Sequence, residues 1–165
     1  MNIAIISDSH DNVPNIYKAL NFIKKQKADM IIHCGDVCAG SVLDDMAKKF
    51  PKPIHFIYGN IVDTQAMEKI TSQHKNLFSH KNLGKLEIEG KKIAFTHLPY
   101  DAKDLAAGGK FNYVFYGHNH KPWIEKIKNT YLINPGTLGG LFSKATFAWW
   151  DTSKVEPKLI ILEKI

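Results

Sequence analysis

The order of hydrophobic runs in this chain predicts an α/β fold: one domain, residues 1–165, of two packed sheets with helices on their outer faces. Three observations carry that expectation. The first part alternates short β-branched runs with amphipathic stretches, a βαβαβ order. The second part reads mostly as strand, turn, strand. No repeat, linker or low-complexity segment interrupts them.

Ile3–Ser7 is short, β-branched and flanked by turn residues, as a buried parallel strand should be. Asp11-Asn12 followed by Val13-Pro14 forms a cap and first helical turn, and Ile16, Ala19, Leu20, Phe22 and Ile23 supply the apolar face. Asp29–His33 is the second strand, with Cys34-Gly35-Asp36 turning out of it. Ser41–Phe50 reads as a helix capped by Ser41, with Asp44 at the capping-box position and Pro51 closing it. Ile54–Tyr58 is the third strand, ending in Gly59-Asn60. Thr64–Thr71 forms a short helix before a polar stretch, Ser72 to Asn82. Beyond it the pattern predicts strands at Lys85–Ile88, Lys91–Thr96, Tyr113–Tyr116, Trp123–Ile127, Thr130–Ile133, Ala145–Asp151 and Pro157–Leu162. A helix at Asp101–Ala107 interrupts them.

Seven metal-type residues sit where hydrophobic runs end: Asp8, His10, Asp36, Asn60, His97, His118 and His120. Strands that stop together at one sheet edge bring such residues into one cluster. Imidazole nitrogen and carboxylate or amide oxygen suit borderline divalent cations. Seven are too many for one tetrahedral ion and suit two ions sharing a carboxylate, the signature of a two-metal phosphate-cleaving site. Each fragment is weak alone, since Gly-Asp is an ordinary turn and Asp-x-His an ordinary helix start. Their joint order carries the inference.

The formal charge is +6, from 22 basic and 16 acidic residues, and every basic residue is lysine. Without a guanidinium fork, phosphate must be held by metals, backbone amides, His, Asn or lysine. The lysines are spread, which argues for solubility and against extended nucleic acid as a partner. No stretch approaches the roughly 20 apolar residues of a membrane span. With Cys34 and Cys38 read as reduced thiols and no export signal in the first residues, the expected location is cytoplasmic.

Asp8-Ser9-His10-Asp11-Asn12, Gly35-Asp36, Gly59-Asn60, Thr96-His97, Gly117-His118-Asn119-His120 and Asn134-Pro135-Gly136 together resemble the calcineurin-like metallophosphoesterases. The length and the Asn-Pro-Gly turn look most like the small prokaryotic phosphodiesterase branch, which is related to the retromer scaffold subunit. The resemblance implies a four-layer α/β/β/α sandwich with two divalent metals, and His, Asp and Asn ligands accept manganese, nickel, iron or zinc. It implies Asp8, His10, Asp36 and His120 on one metal, and Asp36, Asn60, His97 and His118 on the other. The catalytic residues are then Asp36, Asn60 and His97, with a metal-bridging hydroxide attacking a small or nucleotide-type phosphodiester. A carboxylate suits the bridge because its two oxygens can neutralise two cations.

The chain departs from the family at two places. Ile61 follows Asn60 where larger members have a histidine, and Leu98-Pro99 follows His97 where the small branch has Gly-His. Pro99 should make that wall stiffer and more apolar. The alternatives are a catalytically weak scaffold or binding module, a phosphomonoesterase, or a nuclease. Asp11 is expected to orient a ligand histidine or to cap a helix, and Asn12 to donate to substrate phosphate. His33 and Cys34 read as buried structural residues, and His74 and His80 as surface residues. Adjacent Trp149 and Trp150 must face opposite ways, so one is exposed at a homodimer interface or covered by a helix.

Overall fold

The computed structural model describes residues 1–165. Two sheets account for all the strands. The first has the order β11-β10-β1-β2-β3-β4 and the second β5-β6-β7-β9-β8. In the first, β1 (Asn2–Ile6), β2 (Met30–His33), β3 (Ile54–Phe56) and β4 (Leu77–Ser79) are parallel. Strands β10 (Thr146–Asp151) and β11 (Lys158–Ile161) add on antiparallel. In the second, β6 (Lys91–Thr96), β7 (Tyr113–Phe115) and β9 (Thr130–Asn134) are parallel, flanked antiparallel by β5 (Leu83–Ile88) and β8 (Trp123–Ile127).

Strand alternation sorts the core into layers. From β1, Ala4 and Ile6 pack beneath the helices α1 (Val13–Lys25) and α2 (Gly40–Lys49), with Ile16, Leu20, Leu43 and Met46. Met67 of α3 (Thr64–Gln73) joins that layer. Ile3 and Ile5 point the other way, against Phe95, Phe115 and Trp150 between the sheets. Ala102 and Ala106 of α4 (Pro99–Ala107) cover the outer face of the second sheet over Val114 and Leu132. The result is helices, sheet, sheet, helix: the four layers that the resemblance implied.

Several local expectations change. Ser41 does not cap α2; the N-cap is Ala39, which offers no side-chain bond. Asp11 does the capping from 27 residues away, its Oδ1 accepting from Cys38 N and Ala39 N at 3.2 and 3.1 Å. Asp44 is not in a capping box either, and instead binds Lys48 and His74. The polar stretch 72–82 contains β4, a three-residue strand whose one buried side chain, Leu77, gives no periodic signal. Pro99 opens α4 in its first turn, where its missing N–H costs nothing.

Trp150 is fully buried between the sheets. Trp149 faces the other way and is covered edge-on by Phe22 of α1, so the helix-covered reading holds for it. His74 and His80 are half-buried, not surface residues: His74 reaches Asp44, and His80 pairs with His55 at 3.0 Å.

Candidate metal centre

Strands β1, β2 and β3 of one sheet and β6 and β7 of the other end at a common edge. The turns that follow carry Asp8 and His10, Asp36, Asn60, His97, and His118 and His120. All seven come together there. The turns are sharp: Asp8, His10, Asp36, His118 and His120 all have φ between 42° and 73°. Left-handed backbone is uncommon outside glycine and collects at sites where surrounding structure enforces it. Here the enforcement is visible. Gly139 N donates to Asp8 O, Thr137 Oγ1 donates to the same carbonyl, and His10 N donates to Asp36 O.

The histidines are aimed by what stands behind them. His97 Nδ1 lies 2.8 Å from Cys34 O and His120 Nδ1 lies 3.3 Å from Leu141 O. A carbonyl can only accept, so each Nδ1 carries a proton and each Nε2 is the ring atom turned inward. His10 Nδ1 faces Cys38 Sγ at 3.7 Å. The inward atoms form two overlapping groups, Asp8/His10/His120 and Asp8/Asp36/His97. His120 Nε2 is 3.4 Å from Asp8 Oδ1, and His97 Nε2 is 3.4 Å from Asp36 Oδ2. His10 Nε2 stands 3.9 and 3.8 Å from those same two oxygens. Asn60 Oδ1 closes the second group, 2.8 Å from His97 Nε2 and 3.0 Å from His118 Nδ1.

Asp36 differs from the expected two-oxygen bridge. Its Oδ1 accepts from Asn60 N and Ile61 N, each at 3.0 Å, and so fixes the turn after β3. Only Oδ2 faces both groups. Burial pushes the Asp36 carboxyl upward, but its hydrogen bond to His97, that histidine's charge and the Ile61 amide outweigh it and hold it below the usual range. Burial likewise pushes His97 down, yet Asp36 raises it above an ordinary histidine. Asp8 is raised, because burial outweighs its hydrogen bond to Ser7 and the nearby histidines.

This donor set fits cations. His10 and His120 bring Nε2 atoms to 3.1 Å of each other, and His97 Nε2 opposes an amide oxygen at 2.8 Å. Lone pairs so placed repel unless a proton or a metal ion lies among them.

Of the two roles expected for Asp11 the structure shows the helix cap, and the Asn12 side chain is engaged by its own neighbours. It accepts from Asn15 N and donates to Gly139 O. Sequence reasoning passed over Asn134, whose amide donates to Gly117 O and Asn119 Oδ1 and so ties down the 117–120 turn. The Asn-Pro-Gly pattern was the available signal. It also passed over Ser9, which links His33 to the turn: its Oγ donates to Asp36 O and lies 3.0 Å from His33 Nε2.

His33 is fully buried and structural, as expected, and desolvation lowers its pKa to about 3 despite nearby Asp36. Below about pH 6.5 the unfolded chain protonates this histidine and the folded chain does not, so stability falls as pH falls through that window. Urea titrations at pH 7 and 4.5 should show a loss of roughly 3 kcal/mol from this residue. His33→Leu should remove that part of the difference. An equal acid loss in the variant would refute the assignment.

The sequence model of the calcineurin-like phosphoesterase superfamily domain matches residues 1–155, and the chain belongs to that superfamily. The phosphodiesterase MJ0936 of Methanocaldococcus jannaschii is 30% identical over 169 residues, covering 99% of this chain and 100% of the relative. Among solved structures, an archaeal phosphodiesterase superposes with a TM-score of 0.88 at 28% identity, covering 98% of this chain and 99% of the other. Zinc-bound Vps29 of Entamoeba histolytica, at 14% identity and a TM-score of 0.71 with 98% and 99% covered, shares the fold. So does the E. coli phosphoesterase YfcE, at 16% identity and 0.70 with 98% and 100% covered.

Proposed function

We propose that the chain is a metal-dependent phosphodiesterase with two divalent cations. One is held by Asp8, His10, Asp36 and His120, the other by Asp36, Asn60, His97 and His118. The observation that carries this reading is the set of inward Nε2 atoms on His10, His97 and His120 around Asp8 Oδ1 and Asp36 Oδ2. The full-length similarity to a named phosphodiesterase supports the choice of reaction. Bound cations would supply the charge that polarises the phosphoryl group and makes water a nucleophile near neutral pH.

The chain's own residues do the rest by position. Asp36 spends one oxygen on the Asn60–Ile61 amides and keeps the other for the site. Asn60 contributes a neutral oxygen, which leaves the centre positive enough to attract an anionic ester. Cys34 and Leu141 lock His97 and His120 through backbone carbonyls, so ligand orientation does not depend on mobile side chains. Ile61, half exposed beside Asn60, cannot protonate a leaving group. Substrates with stable leaving groups should therefore react best.

The test is hydrolysis of a panel of phosphodiesters and monoesters by metal-free protein reloaded with manganese, nickel, iron or zinc. Aryl diesters are expected to be cleaved fastest, with little monoester turnover. No turnover with any metal would overturn the reading in favour of a scaffold.

A further inference from the structure

The rim of the centre carries a large side chain that the fold does not use. Phe142 is 98% exposed and its backbone has φ 61°, a strained conformation for a bulky residue. Packing contributes nothing to hold it there. Its loop is nevertheless fixed on both sides, since Leu141 O faces His120 Nδ1 and Ser143 Oγ donates to His120 O at 3.0 Å. The Phe142 ring lies within 24° of the His120 plane, with centroids 6.3 Å apart. His120 in turn points its Nε2 at Asp8. Asn60 and His97, also at the centre, border a cleft of about 310 Å³ that includes Leu98 and the exposed Tyr100.

We propose that Phe142 is a stacking platform for a planar aromatic group, a nucleobase or an aryl ring, carried on the phosphate ester. The inference rests on the phosphoesterase reading and specifies its substrate class. An aromatic face accepts any flat π system without needing a hydrogen-bond code. The chain has no arginine, so guanidinium stacking cannot substitute for it. The ring's position beside His120 places such a group next to the phosphate.

Equilibrium binding to the manganese-loaded full chain tests this, with thymidine 5′-monophosphate, phenyl phosphate and ribose 5-phosphate as probes. At least one aromatic phosphate should bind about fivefold or more tighter than ribose 5-phosphate. Phe142→Ala should reduce that preference to within about twofold, and Phe142→Tyr should keep it. A loss confined to thymidine monophosphate assigns the platform to a nucleobase, and a loss confined to phenyl phosphate assigns it to an aryl ester. A loss of both supports a general aromatic platform. Equal affinity of all three probes for the wild type, equal weakening of all three in Phe142→Ala, no weakening, or no binding of any probe would overturn the proposal. Binding is read apart from turnover. A protein with the preference but no hydrolysis would sink the phosphoesterase reading and leave the platform standing.

Discussion

Asp36→Ala is expected to lower phosphodiester hydrolysis by about a thousandfold or more, the scale seen when a preorganised charge is removed from a reacting centre. Two losses combine. Oδ2 is the oxygen facing both His10 and His97, so its removal takes an anionic donor from both groups of side chains. Oδ1 is the acceptor for Asn60 N and Ile61 N, so the same substitution frees the turn that presents Asn60. Asp36→Asn separates the two effects. The amide keeps one oxygen for the backbone turn but loses the negative charge. It should retain the wild-type melting temperature while binding metal weakly and remaining nearly inactive. Metal stoichiometry by elemental analysis, with steady-state rates on an aryl diester, checks both. Two tightly held ions and full rates in Asp36→Ala would show that the bridge has been placed on the wrong residue.

The clustering of the seven candidate ligands was legible because each is a polar residue that ends a hydrophobic run, and parallel strands of one sheet end at a common edge. The residues that aim those ligands were not legible, for physical reasons that differ from case to case. Cys34 and Leu141 act through carbonyls, which every residue has, so side-chain identity carries no trace of the role. Asp11 caps a helix that begins far along the chain, a tertiary contact that no local capping pattern encodes. Ser41 sits at a plausible N-cap, but the long-range cap at Cys38 and Ala39 fixes the helix start earlier. Strand β4 exists because β3 offers an unpaired edge, and its three residues are too few for a period of two to register. Left-handed backbone at Asp8 and Asp36 was hidden too, because Asp in a turn usually needs no such strain.

Gly59→Ala is expected to abolish activity nearly as completely as loss of Asp36, although the residue has no side chain to contribute. Gly59 has φ 89°, and a Cβ there would lie 2.2 Å from Asp36 Oδ1 and 2.5 Å from Asp36 N. Real carbon atoms do not approach so closely, and one of the two contacts is with backbone that cannot rotate away. The turn after β3 must then move off Asp36, which breaks the Asn60 and Ile61 amide bonds and withdraws the Asn60 oxygen from His97 and His118. The backbone conformation adds a cost of its own, about 1–2 kcal/mol for a left-handed residue that is not glycine. Gly90→Ala provides the control, because Gly90 also has positive φ, 74°, but nothing lies within 4 Å of its added Cβ. Gly90→Ala should lose only that backbone increment in a urea titration and keep wild-type rates. The activity gap between the two variants then measures the close approach of Gly59 to Asp36. If Gly59→Ala kept both metal ions and its rate, the two turns would have enough slack to part without harm, and the centre would be less tightly built than its contacts indicate.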